Sequence, residues 1–429
     1  MSGPLTGVRV LEFSQIVAAP FCGCILSDAG ADVVKVEPPR GDSHRNSGAV
    51  IPGMGKRFQS LNRGKRSLTI DLQTDEGREL VYRLIPDYDV MIINYRVGVP
   101  KRLGIDYETL AKINPRLIYA EITGFGTRGP LKDRAGTDIV GVAYSGLMVG
   151  EAKIDEDGRP MPISSASIAD YCAGFSAASA ITGALYHREK SGVGQKIETS
   201  LLQAALAIQD TVVMRDPISD ASGRDKIVSA IRQVRERRGS YREILAARAA
   251  NRGRNAAFGT WYGGHQTSDG QVIILGALTP ITRNGARKVV GIADDNSDEP
   301  GFDASDPENI RRAEERRARV AQVISEKPID YWVEQFSAAG VPCAPVNVPE
   351  EMSEDPQVVA TSLMHDIDHP EYGPQKVAGP VTWMSVTPPK IHGPAPYLGG
   401  NTVEVLQERG FTQGEIDGLL QRGTVTVPD

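Results

Sequence analysis

The chain has 429 residues, a hydrophobic fraction of 40% and a formal net charge of -6, so it is long enough for two domains with large cores. The acidic balance argues against a nucleic-acid or anionic-membrane partner. Residues 1–6 lack the basic-then-apolar pattern of a signal peptide, and no apolar run reaches membrane length. We therefore expect a soluble, cytoplasmic protein with no membrane partner.

The first 200 residues alternate strand and helix patterns. Strands are predicted at 8–13, 31–37, 68–72, 90–94 and 117–122, and helices at 21–28 and 75–84. Continuously apolar strands separated by helices indicate a parallel sheet that is covered on both faces. We therefore predict an α/β fold with a Rossmann-like large domain.

The loop after the first predicted strand argues against a dinucleotide cofactor. Glu37 ends the second strand, where NAD enzymes place a ribose-binding acid. However, the loop at 14–20 contains no glycine, whereas a pyrophosphate needs glycines there so that the backbone can approach it. NAD binding is therefore not predicted.

The rest of the chain changes character several times. A long helical stretch at 200–250 is broken near 216–217, a hairpin follows at 258–278 with its turn at 268–270, and helices continue to about 339. The segment after 340 is rich in Pro and Gly, which is typical of an arm that crosses a surface. Short helices are predicted at 402–409 and 413–421.

The stretch at 224–254 carries ten basic and three acidic side chains. Such a segment can bind anions, form a solvated helix face or lie along a partner subunit. The sequence leaves these interpretations open.

Asp170 lies near the start of a predicted helix, 165–185, that is built from small residues. Ala173, Gly174 and Ala177 would let this helix approach a neighbouring backbone closely. We expect its first turn to lie deep in the fold and to aim free N–H groups at Asp170, which would then stay ionised as a nucleophile requires. Asp is also common at helix starts without any chemical role, so the local sequence leaves both interpretations open.

No metal site is predicted. His365 and His369 are four residues apart, but Pro370 argues against a helix there and no third ligand is evident. The cysteines are expected to be free thiols in a reducing compartment: Cys22, Cys24, Cys172 and Cys343.

A series of blocks along the chain resembles one family. Three of them read Asn62-Arg-Gly-Lys-Arg-Ser-Leu-Thr-Ile-Asp-Leu, Gly124-Phe-Gly-Thr-Arg-Gly-Pro and Asp170-Tyr-Cys-Ala-Gly. The others lie at 7–13, 29–37, 94–99, 114–119, 192–197, 339–346 and 355–358. Together they resemble the class III coenzyme A-transferases, the CaiB/BaiF (formyl-CoA transferase) family, over nearly the whole chain except about 215–255.

The resemblance implies an organisation and a mechanism. The large domain would comprise 1–205 and a returning arm at 341–429, with a helical linker at 206–255 and a small α+β domain at 256–340. Two chains would form an interlocked homodimer. Asp170 would attack an acyl-CoA thioester and pass CoA to a second carboxylic acid through covalent aspartyl intermediates, with no permanently bound cofactor.

The resemblance also implies a CoA site, for which the matching positions are Ile16, Arg40, Ile70, Asn94, Tyr95 and Arg102. Arg102 and Arg40 would pair with phosphates; the family's own arginine position falls on Pro38 rather than Arg40. The acyl pocket would include Val17, Thr137 and Asp138.

Two departures from the family pattern bear on the reaction. Formyl-CoA transferase has glutamine where this chain has Val17, and its glycine-rich lid is not found at 261–266, which argues against formyl and oxalyl substrates. The related racemases have a histidine base at the position of Thr137. Racemisation needs two opposed proton-transfer groups, so the absence of this histidine argues against it. A 2-methylacyl-CoA racemase or epimerase on the same scaffold is the alternative, and a CoA-binding protein without turnover is a third hypothesis. Thr137 would either bind substrate or cap a helix.

Overall fold

A computed structural model describes residues 3–162, 166–251, 258–304 and 306–428. The chain divides into two compact units. The larger unit contains Met1–Met214 together with Pro356–Asp429, and the smaller unit contains Arg215–Asp355. The helices expected to form a linker after 214 thus fall within the smaller unit, as does the segment 341–355 that was expected to belong to the returning arm.

Within the described part of the larger unit, a parallel sheet of six strands forms the centre. Its strands are β1 (Arg9–Phe13), β2 (Asp32–Glu37), β3 (Arg66–Thr69), β4 (Val90–Ile93), β5 (Ile118–Thr123) and β6 (Gln195–Ser200). They are ordered β3-β2-β1-β4-β5-β6, which is the strand order of a Rossmann sheet. The direction of winding reverses between β1 and β4, where Leu11 pairs with both Val34 and Met91.

Both faces of the sheet are buried, as the apolar strands predict. Leu11, Val34 and Met91 point into one core. Val10, Val33 and Ile92, one residue away on the same strands, point into the other. This alternation follows from the two-residue period of a strand.

Helices cover both faces of the sheet. Those before residue 214 are α1 (Ala18–Asp28), α2 (Lys56–Asn62), α3 (Asp75–Leu84), α4 (Val99–Arg102), α5 (Tyr107–Ile113), α6 (Asp138–Tyr144), α7 (Leu147–Glu151), α8 (Ile168–Ser191) and α9 (Leu201–Ala207). Short 3₁₀ turns lie at Ser43–Arg45, Ile85–Asp87 and Asp210–Val212. The start of α6 agrees with the helix expected near Asp138.

The smaller unit has its own sheet and core. Its helices are α10 (Pro217–Ser222), α11 (Arg224–Glu236), α12 (Tyr241–Asn251), α13 (Phe258–Trp261), α14 (Pro280–Val290), α15 (Pro307–Ile324) and α16 (Ile329–Ala338), and a 3₁₀ turn lies at Pro349–Glu351. The predicted hairpin is formed by β7 (Tyr262–Gln266) and β8 (Val272–Gly276), and β9 (Cys343–Pro345) pairs with β8. The small sheet therefore extends past the predicted boundary at 340, because its third strand follows α16.

The chain then returns to the larger unit. It forms α17 (Pro356–Ala360), the hairpin β10 (Met364–His369) with β11 (Gly373–Ala378), and the terminal helices α18 (Thr402–Glu408) and α19 (Gln413–Gln421). Val405, Leu406 and Ile416 are fully buried in the core that contains Leu11. Among the helices of the described ranges, none combines the length and the apolar character needed to cross a membrane.

Candidate active site

A groove lies where strands of the parallel sheet end, at the point where the strand order reverses. The described residues form here a cavity of about 830 Å³ and a smaller cavity of about 120 Å³. Both cavities are lined by Ile16, Asn94, Tyr95, Arg96, Gly136 and Thr137. The carboxyl edge of an open parallel sheet is where α/β proteins bind their ligands.

Asp170 lines the smaller cavity from the first turn of α8. Asp170 is only 7% exposed to solvent. The helix lies close to α1, as its small residues predict: a Cβ atom on Gly174 would lie 2.8 Å from the Ala18 carbonyl oxygen. This close contact keeps the start of α8 beside the loop that follows β1.

The first turn of α8 differs from the sequence expectation. The backbone N–H groups of Ala169 and Asp170 donate to Asp138 Oδ1, at 2.8 Å and 3.1 Å. These donors therefore stabilise the Asp138 carboxylate rather than the side chain of Asp170.

Burial, and after it the negative charge of Asp138, raise the pKa of Asp170 to about 7, whereas Arg57 acts in the opposite direction. The expectation that Asp170 is fully ionised at neutral pH is therefore wrong. The physical reason is that desolvation, together with the charge of Asp138, outweighs the opposing effect of Arg57.

The loop after β1 has a strained backbone. Ile16 adopts a positive φ of 72°, which is rare for a β-branched residue. The side-chain amide of Asn94 makes two hydrogen bonds to the backbone of the preceding residue, Gln15. Gln15 N donates to Asn94 Oδ1 at 3.0 Å, and Asn94 Nδ2 donates to Gln15 O at 2.8 Å. Ile16 remains 42% exposed and is thereby presented to both cavities.

Buried charged side chains stabilise this loop. Lys35 Nζ donates to Ser14 O at 2.9 Å and lies 3.1 Å from Asp42 Oδ2. Glu12 pairs with Lys65 at 2.8 Å. These four charged side chains are fully buried and balance one another, so the ion pairs compensate for desolvation. Sequence reasoning missed them, although charged residues inside apolar strands were a usable signal.

Most of the residues proposed for CoA meet at the larger cavity. Arg40, Ile70, Asn94 and Tyr95 line it together with Ile16. Arg102 lies outside the lining of both cavities, on the exposed side of the short helix α4. The next residue, Leu103, lines the larger cavity, and the assignment of Arg102 to a CoA phosphate stays a prediction.

The proposed acyl-pocket residues Val17, Thr137 and Asp138 line the smaller cavity with Asp170. Thr137 occupies the N-cap position of α6 but makes no side-chain capping hydrogen bond. The hypothesis that Thr137 acts as a helix cap is therefore not supported, and contact with the substrate remains the interpretation.

Cationic side chains were missed in the sequence. Arg96, Lys132 and Arg134 line the smaller cavity. Arg96 lies within a family-like block, whereas the other two lie in the loop before α6, which gave no pattern. They line the same cavity as Asp170 and Asp138.

The remaining candidates lie elsewhere. His365 and His369 are on strand β10, where four residues span ~13 Å, so the two side chains do not converge on one metal ion. No group of three or more metal-ligating side chains occurs in the ranges that the structure describes. The basic stretch forms α11 and α12 of the smaller unit, and its last part, with Arg254, lies outside the described residues.

A parallel sheet with a groove at its carboxyl edge and a buried carboxylate beside that groove defines an α/β protein that binds a small-molecule ligand. The chain belongs to CoA-transferase family III, whose sequence model matches residues 5–402. It is therefore a class III CoA-transferase, and enzymes of this family use acyl-CoA as a substrate.

Several relatives align over nearly their whole length. The chain is 35% identical to succinate–glutarate CoA-transferase of Agrobacterium fabrum, covering 94% of this chain and 95% of that protein. It is 31% identical to succinyl-CoA–D-citramalate CoA-transferase of Chloroflexus aurantiacus, covering 97% of each. A CaiB/BaiF family protein from Brucella suis has a similar structure, with a TM-score of 0.71, 28% identity, and coverage of 95% of this chain and 100% of that one.

Proposed function

We propose that this enzyme moves CoA from an acyl-CoA to a carboxylic acid through covalent intermediates on Asp170. The observation that carries the proposal is the position of Asp170: a buried carboxylate lines a small cavity that shares its lining with the larger groove. A long ligand in the groove would place its reactive end beside this carboxylate. The resemblance to the family supports the same residue.

The proposed reaction is a series of exchanges at one carboxyl group. An oxygen of Asp170 attacks the thioester carbonyl carbon and the C–S bond breaks. CoA leaves as a thiolate, and an aspartyl-acyl anhydride remains on the enzyme. The thiolate attacks the aspartyl carbonyl carbon, which gives an aspartyl-CoA thioester and releases the first acid. The acceptor carboxylate then attacks this thioester, and the reversed sequence yields the new acyl-CoA and free Asp170.

The groove would hold CoA with its thiol end at Ile16. Ile70 and Tyr95 supply apolar surface, and Arg40 is suitably charged for a phosphate. The strained backbone at Ile16, clamped by Asn94, would fix the boundary between the CoA groove and the acyl cavity.

A dicarboxylic acid is the acceptor class that we favour. The relatives are named for succinate, glutarate and D-citramalate. Arg96, Lys132 and Arg134 line the cavity beside Asp170, where a cation would pair with the second carboxylate of such an acid. A monocarboxylic acid would leave that positive charge without a partner.

The test uses succinyl-CoA as donor and compares glutarate with butyrate as acceptors. With hydroxylamine present and no acceptor, mass spectrometry should find a hydroxamate on Asp170. Asp170→Ala should lose at least about 10³-fold in activity. Full activity of Asp170→Ala would overturn the proposal. Exchange of the α-proton with deuterated solvent, without any acceptor acid, would instead support the racemase alternative.

We also propose that two chains form an interlocked homodimer. The returning segment exposes a run of apolar side chains, including Val381, Trp383 and Val386, of which Trp383 is 81% exposed. Such a run is typical of a surface that another chain covers. We also propose a cytoplasmic location. All four cysteines lie within the described residues and are free thiols, which is typical of a reducing compartment.

A further inference from the structure

Asp138 occupies a position between two helices that meet at the smaller cavity. It is the first residue of α6, and its Oδ1 atom accepts the N–H groups of Ala169 and Asp170 at the start of α8. A single carboxylate oxygen thus satisfies two donors that a helix end otherwise leaves unpaired. The residues that it joins are 31 and 32 positions away in the chain.

The approach of α6 to this point depends on two glycines. A Cβ atom on Gly124, just after β5, would lie 2.6 Å from the Cα atom of Gly136. The two backbones therefore pack in direct contact, which is possible only without side chains. This contact fixes the residues that follow Gly136, namely Thr137 and Asp138.

We propose that Asp138 is a positioning residue for Asp170: its carboxylate holds the first turn of α8 and places a second negative charge beside the nucleophile. The inference rests on the proposed function of Asp170 and assigns Asp138 no direct contact with the reacting atoms. The negative charge of Asp138 favours the uncharged form of the Asp170 carboxyl group. In the proposed reaction, Asp170 is neutral once it is acylated, so the same repulsion that disfavours the free anion is relieved in the covalent intermediates.

Other charged and titratable groups surround Asp170. Arg57 on α2 lowers its pKa and opposes the effect of Asp138. Arg96, Lys132 and Arg134 are the other basic side chains that line this cavity. The remaining neighbours on α1 and α8 have pKa values raised by burial, so they stay uncharged near neutral pH: Cys22, Cys24, Tyr171 and Cys172. Asp138 is thus the acidic neighbour that raises the pKa of Asp170.

Two substitutions separate its charge from its hydrogen bonds. Asp138→Asn removes the charge but keeps an oxygen that can accept both N–H groups. Asp138→Ala removes the charge and the acceptor together. Asp106→Asn is the matched control: Asp106 caps α5 by accepting the N–H group of Thr109, and it lies outside the lining of both cavities.

The experiment measures hydroxamate formation on Asp170 from succinyl-CoA as a function of pH, and the melting temperature of each variant. The unaltered enzyme should gain activity as the pH rises through about 7. In Asp138→Asn this rise should move to lower pH by about one unit, with the melting temperature unchanged. In Asp138→Ala the rise should move equally, and the melting temperature should fall by about 2–4 °C because α8 loses its cap. Asp106→Asn should leave the rise in place.

The outcomes distinguish this inference from the proposed function. If Asp138→Asn and Asp138→Ala leave the pH of the rise unchanged while Asp170→Asn is inactive, the inference is wrong and the proposed function stands. If Asp170→Asn forms the product at the original rate, the proposed function fails, whatever Asp138 does. A purely structural role for Asp138 would lower the melting temperature without moving the pH profile, and that result also overturns the inference.

Discussion

Folding places the Asp170 carboxyl group where its neutral form is favoured, although attack on a thioester requires the anion. Burial is the main cause and Asp138 the second. The folded protein therefore binds a proton at Asp170 more tightly than the unfolded chain does. Such a group connects catalysis with stability, because the pH that supplies the nucleophile also destabilises the fold.

Asp170→Asn should raise the free energy of unfolding at alkaline pH and change it little at acid pH. The folded pKa, about 7, lies above the ordinary value of 3.8. The stabilisation from the protonated carboxyl group is therefore complete below 3.8, declines as the pH rises between these values, and is lost above about 7. The advantage of the Asn variant at high pH is at most about 4 kcal/mol.

Urea unfolding of both proteins at several pH values between about 4 and about 8.5 would measure this difference. Asp157→Asn is a suitable control, because Asp157 is exposed and pairs with Arg159, which is also exposed. Its difference should stay constant over this pH range. A constant difference for Asp170→Asn as well would show that the pKa of Asp170 is not raised.

For individual residues, the sequence predicted which side chains line the site more accurately than it predicted their protonation and their contacts. Asp170, Ile16 and Thr137 were named from the resemblance to the family, and all three line the cavities. The raised pKa of Asp170 was not predictable, because it depends on burial in the folded protein and on the charge of Asp138, 32 residues away in the chain. Arg102 matched a family position, but it is exposed on the short helix α4 and is not among the residues that line the two cavities.

The contact between α1 and α8 determines the distance across the smaller cavity. Val17 and Ala18, at the start of α1, line this cavity from one side, and Asp170 lines it from the other. Gly174 lies one turn after Asp170 and in contact with the backbone of α1. Small residues on both helices therefore position the nucleophile as well as filling the core.

Gly174→Ala should reduce both stability and kcat/KM. The added Cβ would lie 2.8 Å from the Ala18 carbonyl oxygen and 2.9 Å from Phe21 Cδ1, so α8 must move away from α1. Overpacking of this kind destabilises proteins by about 1–3 kcal/mol. Thermal unfolding and kinetics with succinyl-CoA would measure the two effects.

Gly183→Ala on the same helix is the control, because a Cβ there meets nothing within 4 Å. It should stabilise the protein by up to about 1 kcal/mol through helix propensity alone. If Gly174→Ala behaved like Gly183→Ala, the spacing of α1 and α8 would not control the cavity.

The predictability of the elements follows their burial. Strands β1, β2, β4 and β5 were predicted within one or two residues, since both faces are buried and the apolar runs are continuous. The edge strand β6 and the hairpin of β10 and β11 were missed because their partly exposed residues are mostly polar. The third strand was predicted two residues late, at 68–72 rather than Arg66–Thr69.

At the scale of the whole chain, the larger unit is formed by segments from both ends. Arg66 on β3 pairs with Glu404 and Glu408 of α18, and Arg422 pairs with Glu76 of α3. The return of the C-terminal helices to this unit was expected from the resemblance alone. No periodicity or spacing would have indicated it, because long-range pairing of this kind leaves no local pattern.

In the proposed interlocked homodimer, each chain would pass through the loop that the other forms between leaving the larger unit at 214 and re-entering it at 356. If two such loops are linked, the subunits cannot separate unless one of them unfolds, so exchange should occur only as fast as unfolding. Tagged and untagged preparations, mixed in native buffer and examined by native mass spectrometry, should keep their original dimers, each with twice the 46.2 kDa chain mass. The same mixture should form tagged–untagged dimers after joint unfolding in urea and refolding. A species of 46.2 kDa at all concentrations would rule out the dimer itself. Tagged–untagged dimers in buffer alone would show a dimer that is not interlocked, because only a topological link makes exchange depend on unfolding rather than on dilution.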